Sequence, residues 1–405
     1  MIKEKKQISF LIFLCSIAYF VSYVTRVNLG AIMVEMTTCN FASSETLALA
    51  LTISSITYGV GQIISGYLGD RFKPENIIFV GFIITAIINV LVGIINDSSY
   101  VIYLWAVNGF AQSLMWPPLV LIMATLLSKD DYKKACVKVS YGSSLGTIAV
   151  YLISPLIIKF LSFKFVFIFS GVLAVLMGLY WKYNFIKRFK VIKESKDINI
   201  INNENKRFSF PIIFMVLMIM ICIIMQGSLR DGVTNWMPTY ISNNFELGSE
   251  LSILTGVILP IFTLVSIKLT SILQRKVIKN EMLCSMTLFI VGCISALLIN
   301  VFSKTNIFIT LILLALLVSS MHGINFLLIQ ILPAYFKKFG HVSLLSGILN
   351  ASTYLGAAIS TYGIALINNY YGWTITIYIW VLICLIGIVS CLIIFAKWNK
   401  FKNSE

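Results

Sequence analysis

Twelve apolar runs make up most of this 405-residue chain, at roughly 8–36, 46–69, 77–96, 100–127, 135–158, 165–181, 210–241, 251–274, 282–302, 306–332, 342–367 and 373–396. A bilayer span takes about 20 apolar residues, and most of these runs reach that length. The chain is 59% hydrophobic and 12% charged, a balance that no soluble fold of this size tolerates. The reading is an all-α membrane protein of twelve transmembrane helices joined by short loops and surrounded by the lipid bilayer.

The net charge of +15 raises the question of nucleic acid, which the placement of the basic residues answers. Of 31 Lys and Arg, 24 fall at the termini or in loops that follow even-numbered runs. Three (Lys159, Lys164, Lys304) fall in the opposite loops, and four (Arg26, Lys138, Arg230, Lys268) lie inside runs, Arg26 and Arg230 the deepest. The positive-inside rule puts both termini in the cytoplasm and makes the basic excess a topology signal, with no nucleic-acid partner. A bacterial cell membrane is the expected location. The basic start and the run from Ile8 imitate a signal peptide, but without a clear small-x-small cleavage site a retained first helix is expected. Eight cysteines are scattered with no CxxC pair or Cys/His cluster, so no metal or cofactor is expected. No Walker loop, Gly-rich dinucleotide turn or nucleophile elbow is present, which argues against an enzyme.

The longest polar stretch, Lys182 to Arg207, carries eight basic and three acidic residues and lies at the midpoint. It divides the chain into a first half at 1–181, a cytoplasmic linker at 182–209 and a second half at 210–405. The halves echo one another. Arg26 lies inside the first run and Arg230 inside the seventh; Ser144-Leu145-Gly146-Thr147 is matched by Tyr354-Leu355-Gly356-Ala357. Asn108-Gly109 precedes Pro117-Pro118 as His322-Gly323 precedes Pro333. Repeats of this kind, with a site between them, describe the major facilitator architecture of two pseudo-symmetric six-helix halves.

An arginine well inside a span costs about 2.5–3.5 kcal/mol on insertion scales, so Arg26 and Arg230 need a reason to be there. Tyr19, Tyr23 and Arg26 share one helical face, which suggests a polar stripe on a water-filled cavity with the arginine offered to an anion. The alternative is a structural charge paired inside the bundle. Asp231 is the only acid well inside a run, but adjacent helix residues diverge by about 100°. Asn108 and Gln112 line the cavity or bond across helices. Trp116-Pro117-Pro118 kinks the fourth helix, lines the cavity, or does both. His322 is a coupling group or a hydrogen-bonded packing residue.

Three stretches carry a family resemblance. Asn108 to Pro118 (NGFAQSLMWPP), Leu229 to Val233 with Trp236 to Tyr240, and Gly347 through Gly356 resemble the fourth, seventh and eleventh helices of the organophosphate:phosphate antiporter family of major facilitator transporters. Gly66 to Pro74 (GYLGDRFKP) is similar to the facilitators' loop between helices two and three, although Glu75 and Asn76 follow where a second arginine is usual. The resemblance implies exchange of a phosphate ester for inorganic phosphate by alternating access. It assigns the anion to Arg26 and Arg230, with Tyr19, Tyr23 and Tyr354 lining the same cavity. Three family positions that carry basic groups are Val27, Gln62 and Ser143 here, which brings a monoanion or carboxylate into contention. The alternatives are therefore a proton- or sodium-coupled organic-anion symporter and a transporter-like sensor of sugar phosphate. The expected substrate is a small anion, carried by a monomer.

Overall fold

Inside a bilayer every backbone N–H and C=O must be satisfied within its own segment or by a close neighbour, so apolar runs become helices. The computed structural model describes residues 2, 4–189, 210–245, 258–302 and 306–403. Most of the expected linker (190–209) and the start of the eighth run (251–257) lie outside the described residues. The helices are α1 (Lys5–Ala31), α2 (Met33–Thr38), α3 (Ser44–Arg71), α4 (Pro74–Ile94), α5 (Ser99–Ser113), α6 (Trp116–Leu126), α7 (Lys129–Phe160) and α8 (Phe163–Arg188). They continue as α9 (Phe210–Phe245), α10 (Ile258–Lys276), α11 (Glu281–Phe302), α12 (Ile307–Asn325) and α13 (Val342–Asn403). Among the described residues eleven helical stretches are long and apolar enough to cross a membrane, and no strand occurs. The eighth expected run is represented by α10, 19 residues that include Lys268, Arg275 and Lys276.

Helix ends follow local chemistry. Ser43 and Ser128 cap α3 and α7 by accepting from the N–H of Thr46 and Asp131. Pro117 and Pro118 sit in the first turn of α6, where a missing N–H is harmless. The fourth run is consequently broken at Leu114–Met115, between α5 and α6. In the tenth run α12 passes into a π-helical stretch, Phe326–Ile331, and then a 3-10 stretch, Leu332–Phe339, which contains Pro333. The 62-residue α13 is two helices meeting at Gly372, whose φ of 74° suits glycine.

The described residues group into two compact units, one drawn from Met1–Arg207 with Phe336–Ala351 and the other from Phe208–Tyr335 with Ser352–Glu405. The placement of 336–351 with the first unit has a visible cause. Asp70, in the Gly-Tyr-Leu-Gly-Asp-Arg turn of α3, accepts from the backbone N–H groups of Ser343 (3.0 Å) and Leu344 (2.9 Å). A carboxylate at a helix N-terminus also complements the helix dipole. Gly66 lies against the Ser343–Leu344 backbone and Gly69 against the Ser343 side chain, where a Cβ would collide. Farther along, Asn350 Nδ2 donates to Gln62 Oε1 at 3.0 Å.

In each unit the helix that carries the arginine is in very close contact with a partner helix. In the first, Gly142 and Gly146 of α7 press on the carbonyls of Ser16 and Phe20 of α1. In the second, Gly356 of α13 presses on the carbonyl of Ile224 of α9, while Gly227 of α9 meets the Thr353 backbone. Ser228 Oγ adds a bond to the Gly356 carbonyl, and Ser360 Oγ one to the Ser228 carbonyl. Small residues let backbones approach where hydrophobic exclusion offers no driving force between helices. Phe20 and Ile224 each lie six residues before the arginine of their helix, so these contacts fix the arginines' helices. Gly146→Leu and Gly356→Leu are expected to separate the pairs and lower the yield of monodisperse protein after detergent extraction. Wild-type yield and thermal stability in both variants would show that the contacts are dispensable.

Candidate functional site

In the first unit Arg26 lies seven positions before the end of its span at Met33. Its guanidinium carbon sits 3.9 Å from the centre of the Tyr58 ring of α3 and 5.7 Å from that of Tyr23. Tyr58 is buried, so the cation rests on a desolvated aromatic face, an arrangement worth about 2 kcal/mol. The N–H donors of a guanidinium lie in its plane and point from its edge. The half-buried Tyr19 and Tyr23 rings pack edge to face at 5.2 Å, and Tyr19 lies 5.0 Å from the buried Trp116 ring. The structure thus gathers Arg26, Tyr23, Tyr19 and Trp116 into one continuous row. The Trp116 Nε1–H has no acceptor among the described residues.

Asn108 and Gln112 of α5 are buried against the neighbouring face of α1. Ser22 Oγ donates to Gln112 Oε1 (2.7 Å), Gln112 Nε2 donates to Thr25 Oγ1 (2.8 Å), and Asn108 Nδ2 donates to the Thr25 carbonyl (3.2 Å). Asn89 of α4 donates to the same carbonyl and accepts from Asn28 Nδ2 at 2.7 Å. Of the two roles open to Asn108 and Gln112, cross-helix bonding is therefore formed. Thr25 is the hub, and it precedes Arg26, so this lattice fixes the rotation of α1 beneath the guanidinium. Close approach of α3 to α5 is permitted by Gly109, which lies against the Ser54 backbone, and by Gly61, which lies against Ser113.

In the second unit Arg230 likewise lies seven positions before the end of its span, at Met237. Its guanidinium is gripped by the adjacent carboxylate: Nε donates to Asp231 Oδ1 at 2.6 Å and Nη2 to Oδ2 at 2.7 Å. The divergence of neighbouring Cα–Cβ directions does not prevent this, because the long arginine side chain folds back over its own helix. His322 of α12 lies within electrostatic reach of both members of the pair. Tyr354 is half-buried on α13, next to Thr353 and the Gly227 contact.

Sequence reasoning did not single out Tyr58, Ser22, Thr25, Asn28 or Asn89. For Ser22, Thr25 and Asn28 a signal exists: they recur every three residues in an otherwise apolar run, a pattern that points to a hydrogen-bonded helix face.

The profile of the Major Facilitator Superfamily matches residues 15–332. Among characterised or named proteins, the chain is 25% identical to the glycerol-3-phosphate transporter of Bacillus subtilis over 256 residues, covering 56% of this chain and 55% of that protein. It is 24% identical over 123 residues to a probable hexose phosphate transport protein of Chlamydia trachomatis, covering 30% of this chain and 27% of the relative. The chain thus spans between about a quarter and just over half the length of these relatives. In structure it is similar to the proton:xylose symporter XylE, with a TM-score of 0.77 at 12% identity over 97% of this chain and 96% of that one, a likeness of fold. The twelve-helix fold and the profile match agree: the chain belongs to the Major Facilitator Superfamily, a family of membrane transporters and not of enzymes.

Proposed function

We propose that this protein is a secondary transporter that moves a small phosphate-bearing organic anion across a bacterial cell membrane by alternating access, in exchange for inorganic phosphate. Arg26 and Arg230 supply the guanidinium groups for the anion, and Tyr19, Tyr23, Trp116 and Tyr354 line its path. Asn108 and Gln112 act by holding α1 in register. The protein works as a monomer with both termini in the cytoplasm. One observation carries the reading: the guanidinium of Arg26, deep in a span, sits over the buried Tyr58 ring, 3.9 Å from its centre. The guanidinium fork suits a tetrahedral oxyanion bidentately. The likeness to transporters named for glycerol-3-phosphate and hexose phosphate supports phosphate over carboxylate as the recognised group.

A second reading, a proton- or sodium-coupled organic-anion symporter, is favoured by the titratable carboxylate of Asp231 on Arg230. Counterflow into phosphate-loaded proteoliposomes separates the two. Trapped phosphate should drive uptake of labelled phosphate esters, with the proton gradient collapsed, and carboxylates should compete poorly. Accumulation above equilibrium in anion-free vesicles under an inward proton or sodium gradient would instead establish the symporter.

A further inference from the structure

The Arg230–Asp231 pair occupies the donors that an anionic substrate would need. Both oxygens of the carboxylate meet one edge of the guanidinium, Nε and Nη2, in the parallel two-bond geometry that arginine offers to carboxylates and phosphates alike. An anion cannot take that edge while Asp231 holds it. The two side chains are 15% and 28% exposed, so the pair is shielded from water without being sealed from it. A displaced Asp231 carboxylate therefore has water to turn to. The backbone beneath the pair is fixed by Thr234 Oγ1, which bonds the Arg230 carbonyl, and by Gly232, which lies against Ser360 of α13. At Arg26 the guanidinium carbon lies 3.9 Å from the centre of the uncharged Tyr58 ring.

We propose that Asp231 is a resident counter-anion of Arg230: the substrate's anionic group displaces it on binding, and it closes back onto the guanidinium when the substrate leaves. This rests on the reading of Arg230 as an anion-binding residue. The number of charge-assisted bonds on Arg230 is the same before and after the swap, so loaded and unloaded carriers both cross with this arginine neutralised. Two consequences follow. The anion binds more weakly than Arg230 alone would allow, because it must compete with a tethered carboxylate. The carrier also returns without cargo, so exchange is permitted but not obligatory. Asp231 thereby sets the ratio of net flux to exchange.

The test uses inorganic phosphate as probe and the full-length protein in proteoliposomes, with valinomycin and potassium clamping the membrane potential. Labelled-phosphate homo-exchange and net efflux into phosphate-free medium are measured in parallel for wild type, Asp231→Asn and Asp231→Glu. Their ratio does not depend on how much protein is active. Wild type and Asp231→Glu should show both fluxes. Asp231→Asn should keep exchange, with half-saturation at a phosphate concentration lower by roughly tenfold, and its ratio of net efflux to exchange should fall by at least about tenfold, because a mid-span guanidinium that has lost the Asp231 counter-charge opposes the empty return. An unchanged ratio in Asp231→Asn, or exchange without any net efflux in wild type, overturns the proposal while leaving the anion-carrier reading intact. Absence of both fluxes in all three reconstituted proteins removes the phosphate reading itself, and this proposal with it.

Discussion

Arg26→Lys and Arg230→Lys should each slow phosphate counterflow by roughly ten- to hundredfold, the worth of one bidentate charge-assisted contact. Both variants should still reach the membrane in normal amounts. A lysine preserves the charge, so the electrostatic attraction for an anion survives. What it loses is the planar fork, and at position 26 also the guanidinium's contact with the Tyr58 ring, which a compact ammonium reproduces poorly. At position 230 an ammonium still pairs with Asp231, so the fold has no new unpaired carboxylate to accommodate. Rates per reconstituted molecule decide the matter. If both lysine variants carry phosphate at wild-type rates, the fork is not the anion's partner and the arginines are structural charges. A loss confined to Arg26→Lys would identify Arg230–Asp231 as a structural ion pair and leave a single-arginine site.

The sequence carried the architecture well because the membrane imposes it. Apolar run length sets the span positions, and Pro117-Pro118 and the single Pro333 mark where the fourth and tenth runs depart from regular helix. The glycine echo at Gly146 and Gly356 was legible as a repeat, but its meaning was not. Only the structure shows both glycines seated on the carbonyl six residues before an arginine. Tyr58 was invisible for a different reason. A tyrosine in an apolar run reads equally as interface anchor, packing residue or cation platform, and the choice depends on which side chain from another helix arrives above it. Helical periodicity was misleading at Asp231. It describes Cα–Cβ directions, whereas a four-bond arginine side chain reaches round its own helix to a neighbour. Asn28 and Asn89, 61 residues apart, show the general limit: a polar face can be read in one span, but the partner it bonds on another span cannot.

Glu281 shows the same limit on a larger scale and supports the strongest stability prediction. It opens α11, is completely buried, and gathers donors from across the second unit. Its Oε1 accepts from Gln274 Nε2 (2.9 Å), Tyr335 Oη (2.7 Å) and Lys402 Nζ (2.9 Å), and its Oε2 from Trp398 Nε1 (3.0 Å) and Lys402 Nζ (2.9 Å). Lys402 Nζ also donates to the Lys279 carbonyl. One carboxylate thus ties α10, α11, the 3-10 stretch and the end of α13 together. Removing one partner of a buried ion pair costs about 3–5 kcal/mol, because the donors left behind lose both their acceptor and their hydration. Glu281→Ala should therefore lower the temperature of heat-induced aggregation in detergent by roughly 10 °C. Glu281→Gln should fall in between, since a carboxamide offers one acceptor oxygen where the carboxylate offers two, and turns an NH2 group toward donors. The discriminating variant is Glu281→Leu with Lys402→Met. Taking away the charge on both sides removes the main uncompensated group, so the double variant should be more stable than Glu281→Ala. Equal loss in the two would mean that the cost is the cavity and not the stranded ammonium, and the carboxylate would then be acting as volume instead of as the acceptor that closes this end of the unit.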